Sequence, residues 1–227
     1  MYQFEFTSEE IDEAVREVRL LALEIELGPG CNPRCPHCSV PGRATSGEAL
    51  SEGEIFDLIL QARDLGTRRI GVLDGEVENH RRLLPITRFA RSEDLEVEVF
   101  TNGAGITEDV ARELFESRIP VVLRMDSLDE EIQDLLTGTG GSFELIQQAF
   151  RWLREAGYPS PEASLRIDTV ICRQNVDGVA SLWRWLRAGG IASRFEVAGP
   201  RLNESEGRWL QVCLLYTSDA ADEGVEV

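Results

Sequence analysis

No apolar run in the 227 residues approaches the roughly 18 that a membrane-spanning helix needs, so none is expected. The first ten residues are polar and acidic and lack the basic-then-apolar order of a secretory signal. Basic charge is scarce: 23 Lys and Arg stand against 41 Asp and Glu, for a net charge of −18. Such a chain repels phosphate backbones, which argues against generic nucleic-acid binding. Low-complexity linkers and internal repeats are absent as well. Cysteine is sparse and unevenly placed. The five residues Cys31, Cys35, Cys38, Cys172 and Cys213 are an odd set and do not make a disulfide framework. Three of them fall within eight residues, which points to a metal site in a reducing compartment, taken here as the cytoplasm.

What is present reads as one large α/β domain. Apolar residues make up 42%, ordinary for a globular protein with a real core. Thr7 to Glu10 is a capping box that opens a helix running to about residue 19. Leu23, Ile25 and Leu27 alternate with Glu24 and Glu26, which predicts a strand. Ser51 to Glu54 is a second capping box, followed by Ile55, Leu58, Ile59, Ala62 and Leu65 at helical spacing. Further strands are expected at 70–73, 96–100, 121–125, 165–171 and 195–197. Helices are expected at about 79–91, 107–117, 128–136, 143–156 and 176–188. Strands separated by helices imply parallel pairing in a barrel or an open part of one.

The expected organisation is an N-terminal helix over 1–19 and a core over 20–212, incomplete at its C-terminal side. Residues 213–227 are set apart, because Cys213 to Glu223 resembles a sequencing adapter translated in one frame. On that reading Cys213 is no ligand. A genuine acidic tail, with Asp219, Asp222, Glu223 and Glu226, is the alternative.

Strand faces sharpen the barrel expectation. Arg124 shares a face with Asp126, Arg166 with Asp168, and Glu96 with Glu98, each opposite an apolar face. A closed barrel fills its interior with branched apolar layers. A charged inner face predicts a wet, opened barrel with a large site inside. Glu24 and Glu96 at exposed N-terminal strand ends are the plainer account of those two acids.

The chemistry concentrates after the first strand, in Gly28-Pro29-Gly30-Cys31-Asn32-Pro33-Arg34-Cys35-Pro36-His37-Cys38. The segment leaves the C-terminal end of that strand, where βα folds place their active sites. Thiolates are the soft ligands of iron–sulfur clusters. Pro33 and Pro36 prevent a regular helix, so the chain can wrap a cluster. Three thiolates leave one iron of a cubane open for a small-molecule chelator. A zinc site with His37 or His80 as fourth ligand is the competing reading.

A Cys-x3-Cys-x2-Cys segment after the first strand of a βα-repeat chain resembles the radical S-adenosylmethionine (radical SAM) superfamily. The resemblance covers about residues 20–199 and implies an α/β fold, a (β/α)6 partial TIM barrel. It implies that Cys31, Cys35 and Cys38 hold a [4Fe–4S] cluster whose fourth iron is chelated by S-adenosylmethionine. It implies reductive cleavage of that cosubstrate to a 5′-deoxyadenosyl radical, which abstracts hydrogen from a substrate. An external one-electron donor such as flavodoxin or ferredoxin is then required. By the same resemblance, His37 lies near adenine. Gly75 and Glu76, in Asp74-Gly75-Glu76, hold the amino group where the family has Gly-Gly-Glu. Asn102 of Thr101-Asn102-Gly103 hydrogen-bonds the cosubstrate. Arg124 pairs with its carboxylate, Asp126 and Ser127 lie near the ribose, and Arg166 faces cosubstrate or substrate. Asp74 and Val77 depart from the family pattern at this slot. His37, Asp74-Gly75-Glu76, Asn102, Ser127 and Arg166 also have plain structural readings: a loop histidine, an acidic turn, an Asn-Gly turn, a helix cap and an Arg166–Asp168 ion pair.

Residues 123–127 with Leu136-Thr137-Gly138 and Gly141 resemble the SPASM-bearing subgroup, several members of which modify ribosomal peptides. Its cysteine-rich extension is not present, and Cys172 reads as a packed thiol. The activity expected is thus that of a radical SAM enzyme acting on a small molecule or peptide, with no nucleic-acid or membrane partner. The alternatives are a non-catalytic zinc domain, or a cluster-binding remnant that no longer uses S-adenosylmethionine.

Overall fold

The first two helices start at their capping boxes. In the computed structural model, which describes residues 6–27, 35, 50–74 and 80–198, α1 spans Ser8–Glu17 and α2 spans Glu52–Asp64. Thr7 Oγ1 accepts from Glu10 N at 3.2 Å, and Glu10 returns the bond to Thr7 N at 2.7 Å. Ser51 and Glu54 do the same at 3.3 and 2.8 Å. These main-chain bonds hold the carboxyls of Glu10 and Glu54 below their ordinary range.

The remaining elements are β1 (Ala22–Glu26), β2 (Arg69–Asp74), α3 (His80–Ser92), β3 (Glu96–Thr101), α4 (Glu108–Glu116), β4 (Val121–Arg124), α5 (Glu130–Thr137), α6 (Ser142–Ala156), β5 (Leu165–Ile171), α7 (Val176–Ala188) and β6 (Ala192–Val197). The strands follow one another in chain order, β1-β2-β3-β4-β5-β6, in one sheet. A doubly wound sheet reverses its order at a switch point; sequential order with a helical segment between successive strands is the barrel pattern.

The chain forms two compact units. The first holds α1 through β4 and α6 from Leu145 onward. Its strands pair in parallel, with Ile25, Val72, Val99 and Val121 in register. All four are buried, and the helices add Ile59, Leu83, Ile86, Leu114 and Leu153 to the core. The opposite face carries the row Glu24, Gly71 and Glu98. Desolvation raises the Glu24 carboxyl, and Glu26 on the same face adds to the rise. This is the charged strand face expected from the alternation. Glu96 is exposed at the start of β3, where Arg69 Nε donates to it at 3.0 Å.

The second unit holds α5, α7, β6 and β5 from Arg166 onward. Here β5 and β6 pair in parallel, and α7 buries Leu182 and Leu186. Leu136 and Cys172 make a small core with Ile132 and Ala198, so Cys172 is the packed thiol expected. Two boundaries are corrected. The first helix stops at Glu17, and β6 begins at Ala192, three residues before the strand expected. Among the described residues no helix is long and apolar enough to cross a membrane.

Candidate functional site

In the first unit, four strand ends carry the positions singled out in the sequence. β1 gives way to Leu27, which is buried and whose N–H donates to Leu73 O at 3.3 Å. The cysteine segment begins directly after it. Cys35, which belongs to the second unit, is half-buried, while Cys31, His37 and Cys38 lie outside the described residues. β2 ends at Asp74, and Gly75 and Glu76 beyond it are also outside.

β3 ends in a turn built from its own side chains. Thr101 Oγ1 accepts from Gly103 N at 3.0 Å, and Asn102 Oδ1 accepts from Ala104 N at 2.9 Å. Gly103 sits at φ +91°, and a Cβ there would lie 3.2 Å from Ala149 Cβ and 3.4 Å from Ile146 Cα. The Thr-Asn-Gly run is therefore a local device for bringing the end of β3 close to α6. Gly103→Ala is expected to cost about 1–3 kcal/mol of stability, read as a lower urea midpoint, from left-handed backbone strain and the close contact. Arg124 closes β4 and is half-buried.

In the second unit Asp126 is almost fully buried, and its groups are engaged by other elements. Its N–H donates to Gln133 Oε1 at 2.8 Å, and its Oδ1 accepts from Val170 N at 2.7 Å. Its carbonyl accepts from Asn175 Nδ2 at 2.8 Å. Next to it, Thr169 Oγ1 donates to Met125 O at 2.7 Å, and Met125 N donates to Asp168 O at 3.2 Å. The acid assigned to ribose binding in the sequence thus ties its own segment to the backbone of β5.

Ser127 is buried too, and its N–H donates to the same Gln133 Oε1 at 2.9 Å. It does not cap α5. The cap is Asp129, whose Oδ1 accepts from Ile132 N at 3.0 Å, while Ser127 Oγ accepts from Asp129 N at 3.0 Å. Ser127 had already committed its backbone to Gln133, so the helix starts two residues later than its capping-box spacing implies. Arg166 Nε donates to Asp168 Oδ1 at 2.8 Å, with 25% and 12% of the two side chains exposed. The two form the ion pair anticipated from their shared strand face.

Gln133 and Asn175 were not singled out in the sequence. Gln133 is fully buried, and one amide oxygen serves two consecutive backbone N–H groups, which fixes the β4–α5 turn. Asn175 Nδ2 donates to Asp126 O and Val170 O, and its Oδ1 accepts from Cys172 N, all at 2.8 Å. A glutamine in an amphipathic helix and an asparagine before one look solvated or capping in sequence. Only their partners in the folded chain reveal them.

The donor set suits a cubane with one open iron: three soft thiolates within eight residues, directly after a buried strand end. The only one of the three among the described residues, Cys35, is half-buried and so is not committed to a packed core.

Comparison with known proteins agrees. The radical SAM superfamily matches residues 25–186. The chain is 30% identical over 158 residues to the PqqA peptide cyclase of Rhizobium meliloti, covering 69% of this chain and 41% of the cyclase. It is 28% identical over 158 residues to the mycofactocin maturase MftC of Mycolicibacterium smegmatis, covering 69% and 39%. It therefore spans about two fifths of the length of these curated relatives. The solved structure of Streptococcus suis SuiB bound to S-adenosylmethionine superposes with a TM-score of 0.72 at 17% identity, covering 95% of this chain and 49% of SuiB. SuiB bound to its precursor peptide SuiA gives 0.68 at 18% identity, covering 83% and 42%. The fold is that of these enzymes, and the chain belongs to the radical SAM superfamily, which uses a [4Fe–4S] cluster and S-adenosylmethionine.

Proposed function

We propose that this chain is the cluster-bearing part of a radical SAM enzyme that modifies a peptide. The observation that carries the reading is the Cys-x3-Cys-x2-Cys segment, placed directly after β1 of a sequentially ordered β/α sheet. Cys31, Cys35 and Cys38 would hold the cluster through three irons. When bound, the cluster supplies the electron that splits a sulfonium C–S bond of S-adenosylmethionine, giving methionine and a carbon radical that takes hydrogen from substrate.

The chain's own residues bind and orient. Glu76, with main-chain groups at Gly75, accepts from the cosubstrate's ammonium. Arg124 pairs with its carboxylate, and His37 and Asn102 lie toward the nucleoside. Arg166, whose Nε donates to Asp168, would face cosubstrate or substrate. Asp126 and Ser127 act by position: their hydrogen bonds to Gln133 and Val170 set the backbone at the end of β4. A peptide is favoured as substrate because one relative is by name a peptide cyclase and another was solved with its precursor peptide. A flavodoxin- or ferredoxin-like protein would supply the electron, and thiolate ligation favours a reducing compartment such as the cytoplasm.

The test is anaerobic reconstitution followed by reduction in the presence of S-adenosylmethionine. Formation of 5′-deoxyadenosine supports the assignment. Glu76→Ala should raise the KM for S-adenosylmethionine while leaving iron content unchanged. A fully loaded cluster that never cleaves S-adenosylmethionine would contradict the proposal and identify a remnant, for which the altered Asp74-Gly75-Glu76 slot would be the natural cause.

A further inference from the structure

We infer that α1 is a docking stripe for a cationic amphipathic helix of a partner polypeptide. The helix places Ile11, Ala14 and Val15 at helical spacing, and Val18 closes it, yet little of that face is used by its own chain. Of its ten residues only Ala14 is buried. Ile11 is 44% exposed, Val15 73% and Val18 88%. These three recur at i, i+4 and i+7, the spacing along which a second helix packs.

Both ends of α1 are nonetheless anchored in the first unit. Before its start, the Arg69 guanidinium lies 4.7 Å over the Phe6 ring. Past its end, Leu20 N donates to Leu65 O at 3.0 Å. The Arg19 side chain packs over Gly66, where a Cβ would fall 3.0 Å from its Cγ and Cδ. Leu20 and Leu65 are exposed as well and add apolar surface at the same end of the helix. Contiguous exposed apolar surface of this kind marks contact with another molecule, whereas single exposed residues do not.

Val18 gives an independent indication. It sits at φ 55°, ψ 44°, the left-handed cap position that glycine or asparagine ordinarily fills. A β-branched side chain is strained there. Being almost wholly exposed, its methyl groups gain little packing within this chain to offset that strain. An incoming helix would supply the packing.

Charge selects the partner. α1 carries Glu9, Glu10, Asp12, Glu13 and Glu17 against Arg16 alone. Arg19 pairs with Glu13 and Glu17, and the exposed Asp12, three positions before Val15, borders the stripe. A second copy of this chain would set acids against acids along the same stripe. An anionic lipid surface or a nucleic acid would be repelled by a chain at −18. Lysines and arginines beside an apolar stripe on an incoming helix satisfy both the apolar contact and the charge.

The test titrates the full chain with a synthetic peptide of about 14 residues, leucine along one helical face and lysine elsewhere. A scrambled peptide of the same composition and a version with glutamate for lysine are run beside it, and binding is read by fluorescence anisotropy at physiological salt. The amphipathic lysine peptide is expected to bind at least about 10-fold more tightly than either. Val15→Ser should weaken it about 10-fold and Asp12→Lys about 5-fold. Glu155→Lys, the same charge change on an exposed position of α6, should leave it unchanged. Val18→Asn separates docking from folding: the urea midpoint of the chain should rise as the strain is relieved, while peptide affinity falls.

Equal binding of the scrambled and amphipathic lysine peptides would overturn the inference, since bulk charge would then account for the association. Unchanged affinity in both Val15→Ser and Val18→Asn would overturn it too. Self-association of the chain that Val15→Ser abolishes would assign the stripe to a second copy instead. α1 carries none of the cluster or cosubstrate positions, so each of these outcomes leaves the proposed function untouched.

Discussion

Cys35→Ala should give a folded chain that no longer carries its cluster. The wild type is expected to hold about four irons per chain, and the variant fewer than about one, because a cubane left with two thiolates loses its grip on an iron with no replacement ligand. The colour of the reconstituted protein should disappear with the iron. The fold should survive, since Cys35 is half-buried and its loss falls among the changes that cost less than about 1 kcal/mol. Cys172→Ala makes the opposite pair. That thiol is fully buried against Leu136, so the variant should keep its iron and lose about 1–2 kcal/mol of stability. Iron analysis and urea titration of both variants together separate ligand from core.

Asn175→Ala should be the most destabilising single change in the second unit. The side chain satisfies two buried main-chain groups, the N–H of Cys172 and the carbonyl of Asp126, and the half-buried carbonyl of Val170. Each buried group left without a partner costs about 1–3 kcal/mol, so a total of roughly 3–5 kcal/mol is expected. That is a large share of the stability of an ordinary domain, about 5–15 kcal/mol. Asn175→Asp should not rescue it. A carboxylate can still accept from Cys172 N, but it would set negative charge against two carbonyl oxygens. The midpoint of urea unfolding should fall for both variants with the slope unchanged. Weaker S-adenosylmethionine binding should accompany the loss, since the network fixes the backbone where β4 ends. By contrast, the exposed Arg112–Asp109 pair should be worth less than about 1 kcal/mol.

The contrast between these residues shows how far the sequence reaches. Local signals were legible. The capping boxes at Thr7 and Ser51 form because donor and acceptor lie three residues apart. The period-two alternation in β1 and β3 separates an apolar face from Glu24 and Glu98, because burial on one side and charge on the other leave no second register. The spacing of Cys31, Cys35 and Cys38 and the Thr101-Asn102-Gly103 turn are likewise short-range facts.

Non-local roles were hidden. Ser127 has the spacing of a capping residue, yet Gln133 takes its N–H and Asp129 takes over the cap. Asp126 stands just past a strand end, where a ligand contact is expected, and its structural partners Val170 and Asn175 are 44 and 49 residues away. Arg82 resembles any helix arginine, yet its guanidinium donates to the carbonyls of Leu27 and Leu50, 55 and 32 residues away. Buried polar groups must find partners wherever the fold supplies them, and spacing along the chain does not encode that search.

The central claim is that three thiolates leave one iron open to S-adenosylmethionine. The direct measurement is the electron paramagnetic resonance spectrum of the reduced, reconstituted chain, recorded with and without S-adenosylmethionine. A cluster signal that changes shape on addition of S-adenosylmethionine is predicted. A signal indifferent to S-adenosylmethionine, or a chain that takes up one zinc and no cluster, would contradict the account.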